Sequence, residues 1–236
     1  EVRPRTVYGR RREGAGGVRD LTNTHAPVLA AEAVEFLSPA PEGCYVDCTL
    51  GLGGHTTALL EAGAGHVIGI DRDQDALAIA RERLARFDDR VTYVHADYRE
   101  LVRVVREAGR AEVSGVLADF GVSSMQLDAP ERGFSFRQDG PLDMRMNRAA
   151  GPSLADLLAT VDETTLANVI YEFGEERKSR RVARAIVEAR DRGALTGTAA
   201  LASVVRRAAG GGTWQRLDPA TRTFQALRIW TNAELD

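Results

Sequence analysis

The stretch VDCTLGLGGH, Val46–His55, followed at position 71 by an aspartate that closes the apolar run HVIGI (residues 66–70), decides the fold. An apolar run ending in Asp47, a loop holding Gly51, Gly53 and Gly54, and a helix-forming segment at 55–62 read as strand, turn and helix. Glycines there let the backbone approach a ligand and adopt positive φ. Asp71 lies twenty residues after Gly51, where a carboxylate can accept from both ribose hydroxyls of a nucleoside.

Outward from this stretch the pattern repeats. Strands are expected at 44–50, 66–70, 91–95 and 115–119, and helices at 29–37, 55–62, 74–86 and 98–108. Alternating strands and helices call for an α/β fold with a parallel sheet, whose ligands bind beyond the carboxyl ends of the strands. After Asp119 the rhythm breaks into a long loop, 120–150, rich in Gly, Ser, Asp, Arg and Phe. Segments 154–160, 163–173, 175–192 and 198–209 read as helices inserted into the α/β domain, and Asp218-Pro219 opens another over 219–236. Four domains or segments follow: a disordered basic tail over 1–20, the first part of the sheet domain over 21–128, a loop and helical insertion for substrate recognition over 129–215, and a truncated return to the sheet domain over 216–236. The tail carries six arginines, so it reads either as plain disorder or as an arm on RNA phosphates.

The composition narrows the function. Net charge is −3, so nucleic-acid binding must rest on local charge. Lys178 is the only lysine among 31 basic residues. Cys44 and Cys48 in one strand would stand about 13 Å apart, too far for a disulfide; with no signal-peptide pattern and no membrane-length apolar run, a cytoplasmic protein is expected. No metal-ligand spacing is present.

Two cofactor classes compete for the glycine loop. A dinucleotide loop carries a third glycine where Thr56 stands, and Asp47 would repel a pyrophosphate while suiting the ammonium of a methionine moiety. This favours S-adenosyl-L-methionine. At the third strand end, Tyr98 reads as an adenine-stacking ring or as a core aromatic, and Asp97 as an acceptor for the adenine amine. His55 contributes its backbone N–H at a helix start. Asp119, at the fourth strand end, is the catalytic candidate: a carboxylate accepting from an exocyclic amine localises that nitrogen's lone pair and helps remove its proton. The alternative is a carboxylate capping the next turn. Gln126 and the Ser123-Ser124 backbone would position the substrate. Arg132, Arg137 and Arg145 interleave with Phe134 and Phe136, as a splayed-out base requires, or form a packed loop. Arg177 and the other basic residues of the 175–192 helix, with Arg222, read equally as a solvated face or an RNA contact. Glu175 and Glu176 would favour that helix's dipole.

The segments His25–Leu29, Asp47–His55, Asp119–Asp128, RGFSF (Arg132–Phe136), DGPLDMRM (Asp139–Met146), GEER (Gly174–Arg177) and PATRTFQALRI (Pro219–Ile229) closely resemble the bacterial ribosomal RNA small-subunit methyltransferase H family, also called the MraW family. The resemblance runs from about residue 25 to the end. It implies a class I Rossmann-like methyltransferase sheet with an inserted all-helical domain, and N4-methylation of a cytidine in the decoding region of 16S ribosomal RNA, within the small ribosomal subunit. It carries cofactor contacts onto Gly53, Gly54, His55, Asp71, Tyr98, Asp119 and Gln126. Met125 stands where the family usually has Pro, Tyr98 where it often has Phe, and Asp218 where it usually has His. The family continues past residue 236 with further strands, so part of the sheet is expected to be missing here. A small-molecule methyltransferase on the same fold and a non-catalytic RNA-binding protein are the competing readings. Oligomeric state, a homodimer included, is left open.

Overall fold

The computed structural model describes residues 27–210 and 217–235; the basic tail lies outside them, as does His25. Four parallel strands, β1 (Cys44–Asp47), β2 (His66–Asp71), β3 (Val91–His95) and β4 (Gly115–Leu117), form one sheet in the order β3-β2-β1-β4. The chain steps outward from β1 to β3, then returns to lay β4 on the other side of β1. The strand order therefore reverses beside β1, and a crevice opens there at the carboxyl ends.

Period-two alternation sends side chains to both faces of the sheet. Tyr45 and Val67 pack with Leu59 and Leu60 of α2 (Gly54–Glu61) and with Leu77, Ala80 and Leu84 of α3 (Gln74–Leu84). Val46, Ile68 and Ile70 face Val104 of α4 (Leu101–Glu107) on the other side. Coverage on both faces explains why these strands are nearly continuous apolar runs. α1 (Ala30–Leu37) adds Val34 and Leu37 to the first face.

β1 and β4 are shorter than expected at their carboxyl ends, because the chain peels away there into loops, while β3 keeps its expected range and β2 extends to Asp71. Leu50 donates to the Ile70 carbonyl at 2.9 Å and Cys48 to that of Leu117 at 2.8 Å. The two cysteines are free and buried. Helix α3 ends at Leu84 and tightens into a 3₁₀ segment, Ala85–Arg90. The helix expected at 98–108 opens with a 3₁₀ turn, Tyr98–Glu100, before α4. The long loop contains α5 (Ser124–Asp128) and a 3₁₀ turn, Pro130–Arg132.

Helices α6 (Leu154–Thr160), α7 (Glu163–Gly174), α8 (Ser179–Asp191), α9 (Thr198–Ala209) and α10 (Thr221–Asn232) build a second core around Leu154, Leu166, Ile170, Val182, Ile186, Leu201, Phe224 and Leu227. Each such side chain contributes about 1.5–3 kcal/mol on burial. Leu142 and Met144 of the long loop join this core. α8 starts four residues later than expected. Glu175 takes φ 52° beyond the end of α7 and does not sit in α8, whereas Glu176 stands just before the start of α8 and its carboxylate accepts from the Lys178 amide at 2.8 Å. α10 also departs from the expected return to the sheet domain: its apolar face lies in the helical core, and only its C-terminal end reaches the sheet. Among the described residues no helix is long and apolar enough to cross a membrane.

Candidate active site

The glycine loop is held by its own aspartate. Asp71 accepts from the Gly51 amide at 2.7 Å through one carboxylate oxygen and from the Asp73 amide at 2.8 Å through the other. Burial pushes the Asp71 carboxyl up, opposed by these two amides. Gly51 and Gly53 adopt φ 52° and 81°, which turns the chain from β1 into α2. The first amides of α2, at Gly54 and His55, have no acceptor within the helix. The His55 ring is turned away from solvent, and its Nε2 donates to the Val28 carbonyl at 2.9 Å.

These residues line a cleft of about 340 Å³ at the strand ends, with Gly51, Gly54, His55, Asp71, Tyr98, Asp119 and Gln126 all on its wall. Most of the sequence-predicted cofactor residues therefore converge on one place. Two do not present to it as expected. Gly53 is buried; a Cβ there would come within 2.8 Å of Leu84, so it shapes the loop from beneath. Asp47 is buried too, accepting from the Thr56 hydroxyl at 2.8 Å and the Thr49 amide at 3.2 Å, and does not reach a ligand's ammonium. Burial pushes its carboxyl up to about 6, against the pull of the Thr56 and Thr49 hydrogen bonds.

Asp119 is exposed on the rim, its amide donating to the Thr49 hydroxyl at 2.7 Å while its carboxylate is left facing the cleft. Gln126 is buried. Its Oε1 accepts from the Ser123 amide at 3.0 Å and its Nε2 donates to Asp73 at 2.8 Å, so it anchors the loop after β4 as well as lining the cleft. At the β3 end, Tyr98 stacks edge-on against Phe120 with centroids 5.2 Å apart. Asp97 is not available to an adenine amine, because it is bound by Arg72 at 2.6 Å and by Arg99 at 3.0 Å.

The RGFSF segment is largely interior. Arg132 is 3% exposed, donates to Asp73 at 2.8 Å and to the carbonyls of Arg145 and Met146 at 3.1 Å, and so ties the long loop to α3. Phe134 is fully buried beside it, and Phe136 packs edge-on against Phe224. Arg132 and Phe134 are corrected from substrate contacts to structural ones, because both are buried, whereas Phe136 is partly buried against the helical core. Arg145 is half-buried and pinned to Asp143 at 2.6 Å. Arg222 donates to the Glu175 carbonyl at 3.2 Å. Arg137 and Arg177 are exposed, with no carboxylate partner among the described residues.

Sequence reasoning missed Arg72, Arg83, Phe120 and Glu234 on the cleft wall. Glu234 lies 163 positions from Asp71, and no local pattern brings the two together. The site suits S-adenosylmethionine. Asp71 would hold the ribose diol, and the amides that open α2, with Arg83 on the same wall, would hold the amino-acid carboxylate. The buried Glu234 Oε1 lacks a donor among the described residues.

The model of the MraW methylase family matches residues 22–236. A protein named ribosomal RNA small subunit methyltransferase H from Sorangium cellulosum is 55% identical over 212 residues, covering 90% of this chain and 67% of that protein. Its namesake from Rhodopseudomonas palustris is 53% identical over 212 residues (90% and 63%), and that from Geobacter sulfurreducens 50% over 218 residues (91% and 70%). The chain thus spans roughly two thirds of the length of these relatives. With the family's matching region running from residue 22 through the cleft and the helical core, this chain belongs to the MraW methylase family.

Proposed function

We propose that the protein is an S-adenosylmethionine-dependent methyltransferase of 16S ribosomal RNA in the small ribosomal subunit, acting on N4 of a cytidine in the decoding region, in the cytoplasm. The observation that carries this reading is the exposed Asp119 carboxylate on the wall of the cleft that Asp71 and the glycine loop build. The names of the relatives support RNA as the substrate.

When bound, the cofactor supplies an electrophilic methyl carbon on a sulfonium. Asp71 and the α2 amides fix the two ends of the ligand, which sets the direction of in-line attack. An aminopyrimidine nitrogen is a weak nucleophile, since its lone pair is delocalised into the ring. Asp119 accepts one N–H of that amine, localises the lone pair, and takes the proton as the new C–N bond forms. Phe120 and the loop anchored by Gln126 border the space in which the base lies.

The test uses labelled S-adenosylmethionine and small subunits from cells lacking this enzyme, with the RNA digested and its nucleosides identified by mass spectrometry. N4-methylated cytidine is expected, with turnover about 10²–10⁴-fold lower in Asp119→Ala. Absence of label in RNA despite cofactor binding would replace this reading with a small-molecule methyltransferase.

A further inference from the structure

The C-terminal end of α10 is built into the cleft by an unusual set of contacts. Asn232 is buried: its Oδ1 accepts from the Met146 amide at 2.7 Å, its Nδ2 donates to the Met144 carbonyl at 2.8 Å, and its own carbonyl accepts from Arg72 at 2.7 Å. One side chain thus joins the long loop to α10, while its backbone meets the residue after Asp71. Ala233 then takes φ 47° and turns the chain. The Glu234 carbonyl accepts from the Tyr98 hydroxyl at 2.8 Å. Backbone contacts therefore hold Glu234 against the β3 end of the cleft, whatever its side chain does.

That side chain lines the cleft beside Asp71, Arg72, Ala96 and Tyr98. Its Oε1 is buried and has no hydrogen-bond partner among the described residues. The neighbouring Asp97 is engaged by Arg72 and Arg99, and Asp71 is the acceptor assigned to the ribose. A buried acceptor left unpaired is costly, and a carboxylate on the wall of a ligand cleft with no protein donor calls for one on the ligand. A nucleoside whose ribose sits on Asp71 and whose amino-acid end points to α2 places its base along Arg72, Ala96 and Tyr98. On an adenine that edge carries one N–H donor group, the exocyclic amine.

We infer that Glu234 is a specificity-determining residue of the cofactor site, accepting the exocyclic amine of the adenine base through its carboxylate; this rests on the cofactor reading proposed above. Asp97, the residue that strand position alone would nominate, instead holds Arg72 in place beneath the base. Burial pushes the Glu234 carboxyl up, while Arg72 and Arg228 draw it down.

Calorimetric titration of the purified protein with S-adenosylhomocysteine and with its 6-deamino purine analogue, in which hydrogen replaces the amine and no N–H donor is left on that edge, tests this. The wild type is expected to prefer the adenosine compound by roughly 10- to 100-fold, the range of a hydrogen bond to a charged acceptor. Glu234→Ala keeps the backbone carbonyl for Tyr98 and is expected to bring the two affinities within about threefold of each other. Glu234→Gln, which keeps an acceptor oxygen without the charge, is expected to retain part of the preference for the adenosine compound. An unchanged preference in Glu234→Ala overturns the inference and leaves the cofactor reading standing. Failure of the wild type to bind S-adenosylhomocysteine removes the cofactor reading, and the inference with it.

Discussion

At the scale of single residues, the site separates carboxylates by burial. Asp119 is exposed at the cleft, whereas Asp47, at the end of β1, is sealed under the glycine loop with Thr56 and Thr49. Burial raises the Asp47 carboxyl from 3.8 to about 6. The folded state therefore binds this proton more tightly than the unfolded chain does. The stability it contributes is complete below about pH 3.8 and is lost as pH rises through about 6. The loss is on the order of 3 kcal/mol. Asp47→Asn is expected to raise the melting temperature more at about pH 8 than at about pH 4.5. Thermal melts giving the same increment at both values would show that Asp47 does not titrate in this range. The residue's type and position at a strand end were legible in the sequence. Its orientation was not, because a residue at the end of a strand can point into the cleft or beneath the loop according to how the next turn packs.

At the scale of elements, the long loop is the part that sequence pattern describes least well. Its Arg and Phe residues suggest a surface for a flipped base, yet Arg132 and Phe134 are interior. The reason is Asp73: it caps α3 by accepting from Asp75 at 3.1 Å, and it also receives Arg132 and Gln126. Residues 73, 126 and 132, from three separate segments, thus meet at one buried carboxylate. Arg132→Ala leaves that carboxylate without its cation and is expected to cost about 3–5 kcal/mol. Asp73→Asn, which retains a capping oxygen, is expected to recover part of the loss when combined with Arg132→Ala. Urea unfolding of the two single variants and the double variant measures the coupling. Strictly additive losses would mean that the two side chains do not stabilise each other. The helices themselves were well marked. Ser153 and Asp162 cap α6 and α7 by accepting from the amides three residues on, at 3.2 and 2.9 Å, as their types and positions suggest.

At the scale of the whole molecule, the sheet domain and the helical core meet through the long loop and α10. Met146 and Arg72 both bind Asn232, so the cleft is completed by residues from both cores. RNA has to approach a molecule whose net charge is −3, which places the burden on local cations. Arg177 and Arg180, exposed at the start of α8, have no carboxylate partner among the described residues. Reversing both to Glu is expected to weaken small-subunit binding and to flatten its salt dependence by about 0.7–0.9 in log–log slope for each phosphate that the arginines neutralise. S-adenosylhomocysteine affinity, measured in parallel, is expected to stay unchanged. A salt slope equal to that of the wild type would remove this stretch from the RNA interface.

The sequence by itself determined the parallel α/β order, the glycine turn, the acid at the end of β2 and the helical character of the segments after the long loop. Apolar periodicity, glycine and capping residues act over a few positions, so they can be read along the chain. Tertiary structure alone decided which polar groups face the cleft. Asp97 pairs with Arg72 over 25 positions, Arg132 with Asp73 over 59, and Tyr98 with the Glu234 carbonyl over 136. Each of these choices is settled by which buried donor finds which acceptor once the two cores have packed, and no local pattern carries that information.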